Sequence, residues 1–225
     1  MDKSRSSARE AEIYRGNARL PTHASLQNST VRLFTDSGFA LRVLRYSLGM
    51  KVPMETEDRK ILEREIFTFL LASPRIGSIL FVGCAWYTKH YERTFFKSKN
   101  FWTIDPASEA RRFGARQHIV APLEQLGQYF PERYFDAIVC NGVYGFGLDG
   151  RAQCEAAIEQ CYLRLATGGY FVFGWDDIPE RDPVPQFCTT GFNKFEKLVF
   201  PTRGSWRYIT DTAYRHTYDF YTKLT

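Results

Sequence analysis

The chain has 225 residues, enough for one domain with a sizeable core and an appendage or for two small domains. Apolar residues make up 44% of it and aromatic residues 16%, which excludes a largely disordered protein. The formal net charge of +5 is mild, and the basic residues are scattered among acids, which disfavours a nucleic-acid partner.

Targeting signals and metal-binding motifs are not expected. No apolar run approaches the roughly 20 residues of a membrane helix, and the polar N-terminus lacks the apolar core of a secretory signal. The odd number of cysteines without CxxC spacing predicts reduced thiols in a cytoplasmic protein, with no disulfide framework or structural zinc. The four histidines show no metal-ligand spacing, so no metal is predicted.

Residues 1–73 are predicted to form a helical N-terminal extension or cap. Apolar side chains recur near the helical period from Val31 to Leu48. A second amphipathic helix is predicted for "TEDRKILEREIFTFLLAS", which has acids near its start and Pro74 just beyond its end.

Residues 74–225 alternate between apolar strands and helical segments, which predicts an α/β domain with a parallel sheet. The predicted strands are "SILFVG", "FWTID", "QHIVA", "YFDAIVCNGV", "YFVFGW", "FEKLVF" and "RHTYDFYTKL". Helices are predicted at 88–97, at 107–115, from Pro122 at a first helical position, and at 153–165. No strong helix separates the last two strands, so they are expected to form an antiparallel hairpin. The fold class is therefore a Rossmann-like, doubly wound, mostly parallel seven-stranded sheet with an antiparallel terminal hairpin.

The ends of the first two strands indicate a nucleotide site. Strand one ends at Gly83 and strand two at Asp105, close to the spacing at which an acid hydrogen-bonds a ribose in Rossmann folds. Alternatively, Asp105 caps the helix that follows. A pyrophosphate needs bare backbone amides, whereas Ala85, Trp86 and Tyr87 crowd this turn, which favours a ligand without phosphates.

These motifs resemble the class I S-adenosylmethionine-dependent methyltransferases from about Ile76 to the C-terminus. "ILFVGCA" is similar to the family's first motif, "WTIDP" to its second, "YFDAIVCNGVYGFG" to its fourth-strand motif and "CYLRLATGGYFVFGW" to its fifth. The resemblance implies S-adenosyl-L-methionine as cofactor. The implied cofactor-binding residues are Gly83, Cys84, Ala85, Trp86, Tyr87, Asp105, Pro106, Ala121, Pro122, Asn141 and Gly142.

The sequence departs from the family pattern at several of these positions. Ala85 and Tyr87 replace the second and third glycines, and Phe81 stands where an acid is common. Ala121 and Pro122 replace an acid that contacts the adenine. The segment from Cys84 to Tyr87 either holds the methionine carboxylate with its backbone amides or closes the site.

Asp176 and Asp177, after strand five, are the candidate catalytic bases, with an N-cap as the alternative for both. His90, His118 and His216 are expected to be structural or surface residues. In the loop after strand four, Tyr144 and Phe146 form either an apolar wall at the site or a connection with one ring in the core. The N-terminal region and residues 178–194 are the expected substrate contacts.

The sequence therefore predicts a methyltransferase acting on an oxygen or nitrogen of a small molecule such as a metabolite, sugar or natural product. The alternative is a non-catalytic binding or scaffold protein of the same fold. An NAD or nucleotide-sugar enzyme is a third reading that the crowded turn disfavours. A homodimer is left open.

Overall fold

A computed structural model describes residues 56–177 and 189–224. The helix predicted from Val31 to Leu48 lies outside these residues, and the proposed boundary between residues 73 and 74 stays a prediction. Within the described ranges, every helix is too short or too polar to cross a membrane.

The first described element is a continuous helix, α1. It is α-helical over Glu57–Lys60, π-helical over Ile61–Ile66 and α-helical again over Phe67–Ala72. Ser73 leaves the helical conformation at φ −84° and ψ 119°, the extended backbone that a following proline favours. The amphipathic helix predicted here is confirmed.

Eight strands form one sheet in the described part of the chain. They are β1 (Ser78–Val82), β2 (Asn100–Asp105), β3 (Gln117–Val120), β4 (Phe135–Asn141), β5 (Leu165–Asp176), β6 (Glu196–Lys197), β7 (Arg207–Ile209) and β8 (His216–Thr222). The spatial order is β3-β2-β1-β4-β5-β8-β6, and β7 also pairs with β8. Strands β1 to β5 run parallel, whereas β8 is antiparallel to β5, β6 and β7. The predicted Rossmann-like, mostly parallel architecture is confirmed.

The eighth strand arises at the antiparallel edge, where the sequence predicted a single strand. β6 pairs with Tyr221 and Thr222, and β7 pairs with residues 217–219, so both lie end to end along one side of β8. A turn closed by the bridge between Phe200 and Ser205 separates them. The predicted strand "FEKLVF" is therefore reduced to β6, and β7 forms in the connecting segment, where no strand was predicted.

The helical segments within the connections between strands are shorter than predicted, except after β4. They contain 3₁₀ turns at Trp86–Thr88, Ser108–Phe113 and Leu123–Gln128, and the helices α2 (Tyr91–Thr94), α3 (Arg151–Arg164) and α4 (Thr189–Phe192). Pro122 is the extended N-cap residue of its turn, not the first helical residue as predicted. Its carbonyl accepts the Gln125 amide at 3.0 Å, the i→i+3 bond that makes this connection a 3₁₀ turn.

Two apolar layers cover the sheet because side chains alternate along each strand. Ile79 and Phe81 face the layer that contains the apolar side of α1. Leu80 and Val82 face the opposite layer, which contains α3. All four are buried, as predicted for a strand covered on both faces.

Among the four cysteines in the described ranges, Cys154 departs from the prediction. Cys84, Cys140 and Cys161 carry free thiols. Cys154, buried on α3, is disulfide-bonded, so the prediction of reduced thiols is wrong for this residue. Sequence spacing could not reveal this bond because the pairing of distant cysteines is decided by the fold.

Candidate functional site

The candidate site lies where the strand order reverses, between β1 and β4. The parallel strands β1, β2, β4 and β5 all end on the same side of the sheet, which we call the carboxyl edge. Ligands of open α/β sheets bind at this position, because the connections on either side of the reversal diverge and leave a crevice.

Gly83 begins the turn after β1 in a left-handed conformation, with φ at +87°. Its amide donates to the Ile104 carbonyl at 3.0 Å, which holds the turn against β2. A Cβ here would lie 2.6 Å from Cγ1 of Val143 and 3.3 Å from the Asn141 carbonyl oxygen. Only glycine therefore allows the turn to approach the exit of β4 this closely.

The crowded part of the turn, Trp86–Thr88, is organised by the Thr88 hydroxyl. This hydroxyl accepts the Ala85 amide at 3.2 Å and lies 2.8 Å from the Ala85 carbonyl and 3.0 Å from that of Phe113. The Cys84 amide donates to Asp105 Oδ2 at 2.8 Å. Two amides that the sequence placed on the methionine carboxylate are thus engaged within the protein.

The Cys84 thiol is held in its neutral form. Burial, and then the nearby Asp105 carboxylate, raise the pKa of the Cys84 thiol to about 12. A thiol with this pKa carries almost no thiolate at neutral pH, so Cys84 is not set up as a nucleophile.

The aromatic residues of the turn join it to the start of α1. The rings of Trp86 and Tyr87 meet edge to face, with centroids 5.5 Å apart. The Arg59 guanidinium lies 4.0 Å from the Tyr87 ring centroid and donates to the Tyr91 hydroxyl at 3.0 Å. Since Arg59 is itself buried, this contact fixes the N-terminal end of α1 beside the glycine turn.

Asp105 lies half-buried at the end of β2, beside the turn. Its Oδ2 accepts the Cys84 amide and its Oδ1 accepts the Ala107 amide at 2.9 Å. The capping alternative is not realised, because Ala107 is the N-cap residue of the turn that follows and no side chain caps it. A carboxylate has about four acceptor positions, so each oxygen of Asp105 can still accept a ribose hydroxyl.

The predicted adenine-side residues lie next to Asp105. Pro106 is exposed and Pro122 is half-buried. Ala121 is buried, and its amide donates to the Asp105 carbonyl at 3.2 Å. These residues form an uncharged, largely apolar border on the β2–β3 side of the site.

Asn141 and Gly142 end β4 on the other side of the reversal. Asn141 is buried, and its Nδ2 has no hydrogen-bond partner among the described residues. Gly142 has φ at +68°, and a Cβ built on it would meet nothing within 4 Å. Nδ2 of Asn141 is therefore an unpaired buried donor, which is costly, and the space at Gly142 is open.

The two candidate bases have different surroundings. Asp176 is buried and its Oδ1 lies 2.7 Å from Nδ1 of His216. Asp177 is half-buried and pairs with the exposed Arg215 at 3.0 Å. His216 Nε2 lies 3.0 Å from Asn141 Oδ1, so the histidine joins the ends of β4 and β5.

The sequence predicted a structural role for His216, which its full burial fits, but it did not place the residue beside Asp176 and Asn141. The antiparallel register pairs His216 directly with Asp176, which brings the start of β8 to the carboxyl edge. The chain carries no local signal for this pairing, because register depends on the completed sheet.

Asp58 extends the polar region from α1. It is fully buried, and its carboxylate accepts the Tyr214 hydroxyl at 3.0 Å. Burial alone would raise the pKa of Asp58, but Arg59, His216 and hydrogen bonds from Thr56 and Tyr214 bring it below its usual value. Asp58 is therefore a charged carboxylate at neutral pH.

In the loop after β4, the two aromatic residues differ in burial. Tyr144 is 6% exposed and packs in the layer that contains α3, whereas Phe146 is 42% exposed. This is the connection with one ring in the core that the sequence left open. The other alternative, an apolar wall formed by both rings at the site, is not supported by this arrangement.

Two other histidines lie outside the site. His90 is buried, with Nε2 3.8 Å from Glu63 Oε1. His118 Nδ1 lies 2.8 Å from Thr103 Oγ1. In residues 56–177 and 189–224, no three or more histidine, cysteine or acidic side chains form a group suited to a metal ion.

The fold is similar to those of solved methyltransferase structures. The N-methyltransferase NodS from Bradyrhizobium japonicum WM9 with S-adenosyl-L-homocysteine has a TM-score of 0.51, with 17% identity over 84% of this chain and 100% of that chain. A SAM-dependent methyltransferase from Archaeoglobus fulgidus has a TM-score of 0.53, with 12% identity over 74% and 94%. An rRNA methylase from Streptococcus thermophilus has a TM-score of 0.51, with 16% identity over 77% and 100%.

No family model matches the sequence, and no curated protein matches it. The chain has the Rossmann-like α/β fold of S-adenosylmethionine-dependent methyltransferases. At these identities the likeness defines the fold, and the function is argued from the site.

Proposed function

We propose that the chain is an S-adenosylmethionine-dependent methyltransferase that acts on an oxygen or nitrogen of a small molecule. The observation that carries the proposal is the position of Asp105. It ends β2 beside the left-handed Gly83 turn, at the reversal of strand order, with acceptor capacity left on both carboxylate oxygens. An acid in this place suits the two hydroxyls of an adenosine ribose.

The residues around Asp105 suit the rest of an adenosine cofactor without phosphates. Ala121, Pro106 and Pro122 border the adenine side, and the segment from Gly83 to Tyr87 borders the amino-acid tail. Asn141 and Gly142 complete the site with a buried amide donor and open space. Such a cofactor would supply a methyl group on a positively charged sulfur.

Methyl transfer depends mainly on holding donor and acceptor in line at close contact, so the protein's main task is positioning. Asp177 is the more accessible of the two candidate bases, since Asp176 is buried against His216. We infer that Asp177 takes the acceptor proton if a base is used, and that Asp176 acts through its histidine.

The distribution of charged residues in the chain favours a small-molecule acceptor over RNA. The solved structures of similar fold include NodS and an rRNA methylase, so the fold does not decide the acceptor. An RNA substrate requires a basic surface for its phosphates. The net charge of +5 is spread over 30 basic and 25 acidic residues, without a basic run.

One observation favours the alternative, a non-catalytic binding protein of this fold. The amides of Cys84 and Ala85 are already bonded to Asp105 and Thr88, which leaves fewer donors for a methionine carboxylate. This alternative predicts a folded protein with no affinity for the cofactor.

Calorimetry on the full chain with S-adenosylmethionine, S-adenosylhomocysteine and NAD separates these functions. We expect micromolar binding of the first two ligands and none of NAD, because the crowded turn suits a pyrophosphate poorly. A folded protein that binds neither methionine-derived ligand would overturn the proposal in favour of the binding protein. Binding of NAD alone would favour a Rossmann oxidoreductase.

A further inference from the structure

The turn after β1 is fastened at both of its ends to the connection that follows β2. At its start, the Cys84 amide donates to the Asp105 carboxylate at 2.8 Å. At its end, the Thr88 hydroxyl lies 3.0 Å from the carbonyl oxygen of Phe113, which ends the 3₁₀ turn after β2. The backbone of residues 85–87 therefore runs between two hydrogen bonds to the same neighbouring connection.

The Thr88 hydroxyl is buried, so its hydrogen bonds are made within the protein. A hydroxyl has one proton to donate and two lone pairs that accept. One lone pair accepts the Ala85 amide at 3.2 Å. The proton has two carbonyl oxygens within reach, that of Ala85 at 2.8 Å and that of Phe113 at 3.0 Å. The Ala85 carbonyl already accepts the Thr88 amide at 2.9 Å, so the hydroxyl proton is available for Phe113.

These bonds need a hydroxyl at position 88, and not merely a side chain of the right size. Serine retains both the proton and the lone pairs, whereas valine has the shape of threonine and retains neither. With valine, the Ala85 amide and the Phe113 carbonyl both lose this partner, and the end of the turn is no longer bonded to the connection after β2. Loss of a hydrogen bond from an enclosed position is costly, so the backbone should shift to recover partners.

The two fastenings serve different parts of the proposed cofactor. Asp105 is the residue proposed to hold the ribose, and the segment from Gly83 to Tyr87 is proposed to border the amino-acid tail. A change at Thr88 leaves the bond between Cys84 and Asp105 in place. The amino-acid tail should therefore be the part of the cofactor that depends on the Thr88 hydroxyl.

We propose that Thr88 is a positioning residue for the amino-acid tail of S-adenosylmethionine, because its hydroxyl holds the backbone of residues 85–87 against the connection after β2. The proposal rests on the function proposed above. Thr88 acts through the backbone that it holds, since its own side chain is enclosed by the protein. In the contrary case, the hydroxyl withdraws the Ala85 amide from the cofactor carboxylate, and its removal would strengthen binding.

The test is calorimetry on the full chain with two ligands. S-adenosylhomocysteine has the amino-acid tail, and methylthioadenosine has the adenosine and the thioether without it. In Thr88→Val we expect S-adenosylhomocysteine to bind roughly tenfold more weakly, the change in affinity that corresponds to a lost hydrogen bond at the upper end of the usual range. Methylthioadenosine should bind T88V and the wild type equally, and Thr88→Ser should bind both ligands as the wild type does.

Thr222→Val is the matched control. The Thr222 hydroxyl donates to the Gly169 carbonyl at 2.9 Å, and Thr222 pairs with Tyr170, away from the carboxyl edge. This variant loses the same kind of bond elsewhere on the sheet, so urea unfolding should show a loss of stability without any change in the affinity for S-adenosylhomocysteine. If T88V does not fold, Thr88→Ala removes the hydroxyl without placing a second methyl group at its position, and the same affinities are expected.

Several outcomes would overturn the positioning role. They are unchanged or tighter binding of S-adenosylhomocysteine by folded T88V, an equal weakening of both ligands, and weak binding by T88S, in which the hydroxyl is retained. An affinity lost equally in T222V would show that the effect is one of general stability.

The wild type separates this failure from that of the proposed function. If the wild type binds S-adenosylhomocysteine and T88V binds it equally well, the role of Thr88 is wrong and the methyltransferase proposal stands. If the folded wild type binds neither ligand, the methyltransferase proposal is overturned and the role of Thr88 falls with it.

Discussion

The Asp105 carboxylate accepts a hydrogen bond from the Cys84 backbone amide at 2.8 Å. This bond joins the exit of β2 to the turn after β1, so one acid both shapes the turn and is the residue proposed to hold the ribose. The same carboxylate explains why burial of the neighbouring Cys84 thiol is accompanied by a further rise in its pKa.

Replacing Asp105 by alanine removes both functions. Hydrogen bonds to a charged group contribute about 1.5 to 3 kcal/mol, so we expect S-adenosylhomocysteine to bind roughly ten- to a hundredfold more weakly in D105A. Calorimetry measures this change, with Glu132→Ala as a control at an exposed acid. Equal affinity in D105A and wild type would show that the ribose lies elsewhere.

Replacing Gly83 by alanine combines a left-handed backbone with a collision against Val143. Strain and overpacking together should lower the free energy of unfolding by about 2 to 4 kcal/mol. Gly168→Ala is the matched control, since φ is +76° and a Cβ there meets nothing within 4 Å. Urea unfolding compares the variants, and equal losses would mean that close packing at Gly83 contributes nothing.

The Arg207–Asp219 pair should be worth far more than a surface pair. Arg207 Nε and Nη2 lie 2.5 and 2.6 Å from the two oxygens of Asp219, which is fully buried. Burial raises the pKa of Asp219 above its usual value, although the hydrogen bond and charge of Arg207 oppose this. R207A leaves the buried acid without its paired cation, although the Trp175 indole still donates to Oδ2 at 3.1 Å, and should cost about 3 kcal/mol of unfolding free energy.

Arg203→Ala is the control for R207A. Arg203 pairs with Glu65, and both side chains of that pair are about one quarter exposed. An ion pair of this kind contributes less than about 1 kcal/mol. Chemical denaturation of both variants measures the difference, and similar losses would contradict the special role of the buried pair.

The lowered pKa of Asp58 predicts how the stability of the fold changes in acid. Its pKa in the folded chain is below its usual value, so its stabilisation is fully present above the unfolded pKa of about 4. That stabilisation is lost as the pH falls from there through the folded value. We expect the unfolding free energy of the wild type to decrease over this interval. The decrease should be smaller in Asp58→Asn. Urea unfolding at several pH values, with Asp149→Asn as an exposed control, measures it; parallel curves would refute the assignment.

The sequence predicted the sheet well because buried parallel strands leave continuous apolar runs. β1 and β4 were readable in this way, and Gly83 and Asp105 followed from their place at strand ends. The family pattern supplied Asn141 and Gly142, and the structure brings both to the same edge.

The features that the sequence missed depend on pairing between distant elements. His216 reaches the carboxyl edge because β8 pairs with β5 in one register, and Thr88 holds the turn after β1 through hydrogen bonds with Ala85 and Phe113. The 3₁₀ turns escaped prediction because short i→i+3 segments lack the repeat length that reveals an α-helix.

The divided edge of β8 has a consequence for self-association. A growing β-assembly needs an unbroken row of free amides and carbonyls, and here β6 supplies two residues and β7 three. Lys197 adds a cationic side chain to the first piece, lying 4.0 Å from the Trp206 ring centroid. A second sheet could therefore dock on this side for only a few residues at a time, which limits edge-to-edge pairing at the β6–β7 edge of the sheet.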